Sequence, residues 1–288
     1  ESDKATLYPD AIDQGSTDNC GIAKYEVAKM SDSCSNRANI FGPYVDFCCS
    51  ELGTTVMVAL RVTDFAGNSN TCMVEVKVSD KKAPTIICPS DITIACSYPI
   101  DFKHLEEFGT VRNSEAEVQN IVIHDEINDG VIGTDGYAID NCTFTITEKY
   151  ENNLKCQRGT VVRTFYATDA SGNVDSCSQI ITVIDPSPFN YEDIIWPRDT
   201  LLDMCRAEEI DIMITGRPYF RNENCSSLAI DYEDVPFDQL DGACYKIIRQ
   251  WTIIDWCQYN GVNGPGLWHR DQVIKLYNAE PPTITTAC

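Results

Sequence analysis

The sequence is poor in positive charge. It carries 22 lysines and arginines against 44 aspartates and glutamates, which gives a net charge of −22. This balance argues against nucleic acid as a partner, because a phosphate-binding surface needs an excess of basic residues. It also disfavours anionic lipid surfaces, and no apolar run approaches the ~20 residues that span a bilayer. We therefore expect no nucleic-acid partner and no membrane span.

Motifs of catalysis are also absent from the sequence. His104, His124 and His269 occur in unrelated contexts, and there is no nucleophile elbow, phosphate-binding loop or zinc-protease helix. Carboxylates are so numerous that any acid/base pair chosen among them would be arbitrary. We therefore expect that the protein is not an enzyme.

Cysteine, by contrast, is abundant. Fifteen cysteines lie along the whole chain, and the only tight cluster is the Cys48-Cys49 pair. Zinc sites need clustered ligands such as paired CxxC motifs, so disulfides explain the cysteines better. Disulfides indicate an oxidising compartment, and we expect an extracellular or cell-surface location. The sequence has no initiating Met and no signal peptide, as expected for a mature product or a window of a longer protein.

One pattern recurs three times. It reads TVMVALRVTDFAGNSNTCMVEVKVSDKKAP up to Pro84, TVVRTFYATDASGNVDSCSQIITVIDPSP up to Pro188, and more loosely YKIIRQWTIIDWC onwards up to Pro282. Two stretches of alternating apolar residues flank a turn rich in Asp, Gly and Asn, which predicts a β-hairpin. The spacing of about 100 residues is that of one immunoglobulin-type sandwich. No long helical periodicity occurs, so the chain is predicted to be all-β.

These patterns predict tandem immunoglobulin-like β-sandwich repeats stapled by disulfides. Repeat 1 covers 1–83 with an incomplete first strand, and repeat 2 covers 84–187 with an acidic insertion at 101–138. A divergent repeat 3 covers 188–281, and 282–288 opens the first strand of a following repeat. A short element precedes each hairpin: Asp18-Asn19-Cys20, Asp140-Asn141-Cys142 and Glu223-Asn224-Cys225. We call it the DNC element.

The TIICPSDITIAC opening of repeat 2, the DNC element and the ATDASGN…ITVID ending resemble hyalin (HYR) repeats. They are most similar to the repeats of very large bacterial surface adhesins, including those of gliding bacteria. The resemblance covers repeat 2 and most of repeat 1, whereas in repeat 3 Trp196 replaces the first cysteine. It implies tandem sandwiches on a cell surface and no catalytic residues. We expect a structural segment of an adhesive filament or stalk; the alternative is an adhesin module that binds a surface glycan or partner protein.

Alignment of the three copies predicts disulfide pairs without proving them. The pairs are Cys142 with Cys156, Cys225 with Cys244, Cys88 with Cys177, and Cys205 with Cys257. Cys20, Cys34, Cys48 and Cys49 are expected to form two bridges within repeat 1, and Cys96 is left without a partner.

Cys72 aligns with Cys177, but repeat 1 contains no first-strand cysteine to match Cys88. The sequence ends on PPTITTAC, which is typical of a first strand, and Cys288 followed by ESDKATL parallels CPSDITIA at Cys88. One hypothesis is a head-to-tail array in which the terminal strand completes repeat 1 of the next copy through a Cys72–Cys288 bridge. The alternative is a cut in a longer polypeptide, with flanking repeats in the same chain.

Other candidate sites are weaker. Junction and turn carboxylates are candidates for holding Ca²⁺ as a structural ion, or else they cap turns: Asp64, Asp80, Asp169 and Asp185. Asn141 and Asn224 match the N-glycan acceptor pattern, and Thr200 lies in a triplet resembling the O-glycan acceptor of gliding bacteria. Trp251 is expected in a core, whereas Trp256 and Trp268 are the expected exposed pair for a ligand.

Overall fold

The computed structural model describes residues 4–35, 37–204, 210–240, 243–261, 264–281 and 283–285. Within these ranges the chain forms twenty strands in seven sheets and one short helix, α1 (Ile212–Thr215). Single turns of 3-10 helix connect some strands, at Pro9–Ala11, Cys49–Glu51, Leu105–Phe108, Glu115–Glu117 and Tyr191–Asp193. The strands group into three consecutive units, which we call the first, second and third sandwich.

The first sandwich contains two antiparallel sheets. The strands are β1 (Lys4–Leu7), β2 (Ile22–Lys29), β3 (Val45–Cys48), β4 (Thr55–Asp64) and β5 (Ser69–Lys77). β1 pairs with β3, and the other sheet has the order β2-β4-β5. Val56, Val58 and Leu60 alternate along β4 and pack with Val27 and Phe47 in the core, as the period of two predicts.

The second sandwich adds a hairpin to the same plan. Its strands are β6 (Thr85–Ile87), β7 (Ile92–Ala95), β8 (Val111–Arg112), β9 (Asn120–His124), β10 (Asp129–Thr134), β11 (Gly136–Ile139), β12 (Phe144–Asn152), β13 (Gly159–Asp169) and β14 (Val174–Ile184). One sheet has the order β6-β11-β8 and the facing sheet β12-β13-β14-β7, with β7 parallel to β14. The β9–β10 hairpin comes from the acidic insertion.

The third sandwich has an aromatic core. Its strands are β15 (Ile194–Ile195), β16 (Thr200–Asp203), β17 (Tyr219–Phe220), β18 (Leu228–Leu240), β19 (Ala243–Asp255) and β20 (Leu267–Tyr277). The main sheet has the order β16-β20-β19-β18, with β16 parallel to β20. Trp251 is buried with Phe189, Ile194 and Trp196, so its predicted core position agrees with the structure. The prediction of an all-β chain of disulfide-stapled tandem sandwiches is confirmed.

A buried arginine lies at the centre of the second sandwich. Arg163 on β13 is fully buried, and its Nη1 donates to Gly109 O and to Gln179 Oε1, both at 2.8 Å. Its Nε donates to Glu148 Oε1 at 2.7 Å. Gln179 Nε2 in turn donates to Phe108 O at 2.7 Å. The charge is therefore neutralised and hydrogen-bonded, which is what a buried cation requires.

The third sandwich repeats this network. Arg249 is fully buried, with Nε and Nη2 donating to the two carboxylate oxygens of Asp234 at 2.7 Å and Nη1 donating to Thr215 Oγ1 at 2.7 Å. Gln272 pairs with Arg249 across the sheet as Gln179 pairs with Arg163. The second and third sandwiches thus share a polar core element.

Candidate functional sites at the junctions between sandwiches

Five disulfides are described, and three of them join neighbouring sandwiches. Cys34–Cys48 and Cys88–Cys177 lie within a sandwich. Cys49–Cys142 joins the first sandwich to the second, and Cys96–Cys225 and Cys156–Cys257 join the second to the third. Their Cα–Cα distances are 5.6 to 5.9 Å, within the normal range. The Cys88–Cys177 pair is the one that alignment of the copies predicts.

Two of the predicted pairs are wrong because a strand separates their cysteines. Cys142 and Cys156 flank β12, whose nine residues extend over about 30 Å. β18, of thirteen residues, likewise lies between Cys225 and Cys244 and spans about 40 Å. A disulfide bridges Cα atoms less than about 7 Å apart, so each of these cysteines bonds across a junction or not at all.

Cys257, Cys96 and Cys49 also have partners that differ from the prediction. Cys257 bonds to Cys156 and not to Cys205, which lies outside the described residues, and Cys96 has a partner in Cys225. In the first sandwich only Cys34–Cys48 forms within the repeat, because Cys49 bonds to Cys142.

Three described cysteines have no disulfide partner, and all are exposed: Cys20, Cys72 and Cys244. Cys288, the predicted partner of Cys72, lies outside the described residues. Alignment of the copies compares equivalent positions inside each repeat, and it did not predict the three disulfides that join neighbouring sandwiches.

Three carboxylates meet at the first junction. Asp80 follows β5, Asp140 follows β11 and Asp169 ends β13, and one oxygen of each lies within 4.8 Å of the others. The sequence predicted Asp80 and Asp169 as cation ligands and missed Asp140. Asp140 belongs to the DNC element, whose recurrence before each hairpin was the signal for it.

Hydrogen bonds fix these carboxylates in place. Asp169 Oδ1 accepts from the backbone N of Asn173 at 2.7 Å, and Oδ2 accepts from Asn173 Nδ2 at 2.7 Å. Asn141 Nδ2 donates to Asp80 Oδ2 at 3.0 Å. Asn141 Oδ1 is buried and has no hydrogen-bond partner in the described part of the chain. The first junction therefore gathers carboxylate oxygens beside an unsatisfied amide oxygen, the ligand type that Ca²⁺ prefers.

The second junction differs. Asp185, which aligns with Asp80, forms an ion pair with Arg158, whose Nη2 also donates to Cys257 O at 3.2 Å. Asp255 aligns with Asp169, and Gln258 Nε2 donates to its Oδ2 at 2.8 Å.

Asp64, the remaining predicted ligand, lies at the other end of the first sandwich. There the Asn68 side-chain hydrogen bond holds the pKa of Asp64 below its ordinary value. Asp64 and Asp185 are thus not part of the cluster.

The predicted glycosylation residues occupy different environments. Asn141 is half-buried and already bonded to Asp80, so a glycan there would compete with the junction. Asn224 is exposed, with Nδ2 3.5 Å from Glu126 Oε1. Thr200 is half-buried at the start of β16 and its Oγ1 donates to Arg198 O. Asn224 is the most accessible of the three.

The tryptophans only partly match their predicted roles. Trp256 is 56% exposed and its ring lies 5.9 Å from the ring of Tyr259 at 85°. Trp268 is partly buried, with its ring 5.2 Å from that of Phe189, and it packs on the core. The predicted exposed Trp256–Trp268 pair is therefore wrong, because Trp268 on β20 faces the aromatic core.

No family model and no curated protein matches the chain. Among solved structures, it is similar to the human desmocollin-1 ectodomain at 10% identity and a TM-score of 0.31, covering 93% of this chain and 58% of that one. Drosophila N-cadherin EC1-4 gives 12% identity and a TM-score of 0.25, covering 89% of this chain and 66% of that one. PcdhgB3 EC1-4 gives 12% identity and a TM-score of 0.26, covering 97% of this chain and 68% of that one.

The chain thus spans less than two thirds of the first two neighbours. TM-scores of this size do not establish a shared fold. In the described part of the chain, no helix is long and apolar enough to cross a membrane.

Proposed function

We propose that the chain is a structural segment of an extracellular surface filament or stalk used in adhesion, assembled head-to-tail and without enzymatic activity. The observation that carries this proposal is the placement of the disulfides. Three of the five bonds join neighbouring sandwiches, so both junctions are covalently clamped. Domain interfaces within a chain are ordinarily mobile, and a stalk that presents an adhesive end at a distance gains from suppressing that motion.

Composition and motif support the location. Disulfides of this number are typical of proteins that fold in an oxidising environment. The net charge of −22 favours solubility on a crowded surface. The sequence resemblance to hyalin repeats of bacterial adhesins, including those of gliding bacteria, is the part of the proposal that suggests a cell-surface role.

Electron microscopy of the native material, with non-reducing gel electrophoresis of the same sample, tests this function. We expect continuous filaments whose axial repeat is three sandwiches. Isolated three-sandwich rods that bind a ligand would contradict the filament.

A structural Ca²⁺ at the first junction is part of the proposal. The carboxylates of Asp80, Asp140 and Asp169 approach one another although like charges repel. A divalent cation would remove that repulsion, and Asn141 Oδ1 would supply a neutral ligand. Bound there, the ion would bridge the segment after β5 to the second sandwich and stiffen the junction.

The alternative function is a ligand-binding module of the third sandwich. The exposed Trp256 beside Tyr259 is the specific observation in its favour, because aromatic faces stack on sugars and partner side chains. Retention on a glycan array, lost on Trp256→Ala and kept on Tyr150→Ala, an exposed aromatic of the second sandwich, would favour this module over the purely structural role.

A further inference from the structure

The first sandwich contains a cleft where the second sandwich holds a strand. The cleft has a volume of about 420 Å³ and lies between the segment 16–18 and the sheet formed by β2, β4 and β5. Leu60, Val62 and Cys72 line the sheet side, and Ser16 and Thr17 line the other. On its outer edge β5 pairs with no strand of the described chain.

The equivalent space in the second sandwich is filled by β6. Leu60 pairs with Cys72 across β4 and β5, in the same register in which Phe165 pairs with Cys177 across β13 and β14. There Ile86 of β6 packs on Phe165, and Cys88 bonds to Cys177.

The other wall of the cleft also matches. β6 pairs with β11, where Ile86 lies opposite Ala138. Counting back from the DNC elements, Ala138 aligns with Ser16, which lines the cleft. The first sandwich therefore has both walls of a strand-binding site and an exposed thiol placed as Cys177 is.

We propose that this cleft binds the segment 283–288 of a second copy of the chain as an added strand, covalently locked by a Cys72–Cys288 disulfide. The inference rests on the proposed function and names the partner surface of the head-to-tail contact. Ile284 is 77% exposed where it stands, so its side chain is accessible to a partner. The added strand would pair along residues 15–17, which align with the β11 residues 137–139 that pair with β6.

The sequence pattern of the segment suits the cleft. In β6 the buried Ile86 lies two residues before Cys88. In the segment, Ile284 lies four residues before Cys288. Both spacings are even, so in an extended strand the isoleucine and the cysteine face the same side. The two additional residues move Ile284 along the cleft without turning it outward.

The covalent step is thiol–disulfide exchange with a small-molecule or enzyme disulfide as oxidant. The thiolate of Cys72 attacks that disulfide and forms a mixed disulfide, releasing one thiol. The thiolate of Cys288 then attacks the Cys72 sulfur and releases the second thiol. The two cysteines lose two electrons and two protons in all, and one oxidant disulfide is reduced to two thiols.

The test uses the full chain carrying Cys288→Ser as acceptor and a synthetic peptide of residues 279–288 as probe, in a glutathione redox buffer. We expect one peptide per chain, mapped to Cys72 by mass spectrometry. Cys72→Ser should abolish the adduct, and Cys244→Ser, which removes another exposed free thiol, should leave it unchanged. A peptide with Ile284→Asp should give about tenfold less adduct, because it loses the burial of the isoleucine.

Equal reaction of the peptide with Cys20, Cys72 and Cys244, or equal reaction of the Ile284→Asp peptide, would overturn the inference. Filaments of three-sandwich repeat in native material, together with failure of the peptide, would keep the filament function. The cleft would then be filled by a preceding segment of the same polypeptide. Specific addition at Cys72 in a protein that occurs natively as isolated rods would instead support the cleft and contradict the filament.

Discussion

Arg158 and Asp185 lie 3.3 Å apart at the second junction, from Nη1 to Oδ2. The aligned carboxylate at the first junction, that of Asp80, meets Asn141 and two further aspartates. The same linker carboxylate therefore has different surroundings at the two junctions. At the second junction the partner is a guanidinium of the chain, and at the first it is the side-chain amide of Asn141 beside two further carboxylates.

Calcium should stabilise the first junction specifically. With free Ca²⁺ at 100 times its Kd, the free energy of unfolding should rise by about 2.7 kcal/mol, measured by thermal melting against EGTA. Asp140→Asn should remove most of this response. Asp185→Asn is the matched control, and it should leave the calcium response intact even though it breaks an ion pair. Identical melting in Ca²⁺ and EGTA would contradict the site.

Removing the Cys49–Cys142 bond should free the first sandwich from the second. Cys49→Ser with Cys142→Ser deletes the one disulfide described at this junction, which closes a loop of 93 residues. The chain-entropy account gives a cost of up to about 4–5 kcal/mol for such a loop. Trypsin should then cleave faster at Lys81 or Lys82, and the radius of gyration from X-ray scattering should rise. Cys34→Ser with Cys48→Ser, which removes a bond inside one sandwich, should leave both readouts unchanged.

The buried arginine of the second sandwich should be sensitive to replacement. Arg163→Met leaves Gly109 O and Gln179 Oε1 without their donor. Because unsatisfied buried acceptors are costly, the free energy of unfolding should fall by about 2–4 kcal/mol. Urea denaturation checks this, with Arg270→Met on the surface as a control that should change stability by less than about 0.5 kcal/mol. Arg163→Lys should rescue little, since lysine lacks the forked donor geometry.

Acid should weaken the first sandwich through Asp32. Lys29 is buried and lies 2.9 Å from Asp32 Oδ1 and 2.7 Å from Glu51 Oε1. Burial alone would raise the pKa of Asp32, but hydrogen bonds from Ser35, Lys29 and the backbone outweigh burial and hold this pKa well below its ordinary value of 3.8. Because the pKa of Asp32 is lower in the folded state than in the unfolded state, its ionised form stabilises the fold at every pH above the unfolded-state pKa. This contribution is lost as the pH falls from the unfolded-state pKa through the folded-state pKa.

The measurement is the urea midpoint from pH 7 to pH 2. Asp32→Asn should be less stable than the unaltered chain at neutral pH, and the difference should shrink as pH falls below about 4. Ser35→Ala should act in the same direction to a smaller extent. A difference that stays constant over the whole range would contradict the assignment.

Much of the fold could be predicted because the hairpins carry their own signals. Val56, Val58 and Leu60 alternate with less apolar residues, which indicates a strand with one buried face. The DxxGN turn after it reverses the direction of the chain, so neighbouring residues alone predict the hairpin. Cys88 with Cys177 followed from copies of one pattern. The buried arginines could not be predicted, because a charged residue in a strand is ordinarily exposed. Only the three-dimensional arrangement brings Gly109 O and Gln179 to Arg163.

The candidate site was only half predictable. Asp80 and Asp169 stood out as linker and turn carboxylates. Asp140 lies near Asp169 through the fold of the second sandwich, and both meet Asp80 only across the junction. The bonds of Cys96 and Cys156 to the third sandwich were missed for the same reason. Relations between repeats depend on how the repeats stack, and no single repeat contains that information.

The disulfides between sandwiches also determine how the chain would carry tension. A pull from Cys49 to Cys257 passes through the Cys49–Cys142 bond, along residues 142–156, and through the Cys156–Cys257 bond. Along this path only the backbone segment 142–156 can lengthen. It is at most about 50 Å long when fully extended, and β12 already spans about 30 Å of it, so the gain is no more than about 20 Å. The rest of the second sandwich is bypassed by the load, so the chain would behave as an almost inextensible tether until a sulfur–sulfur bond is reduced.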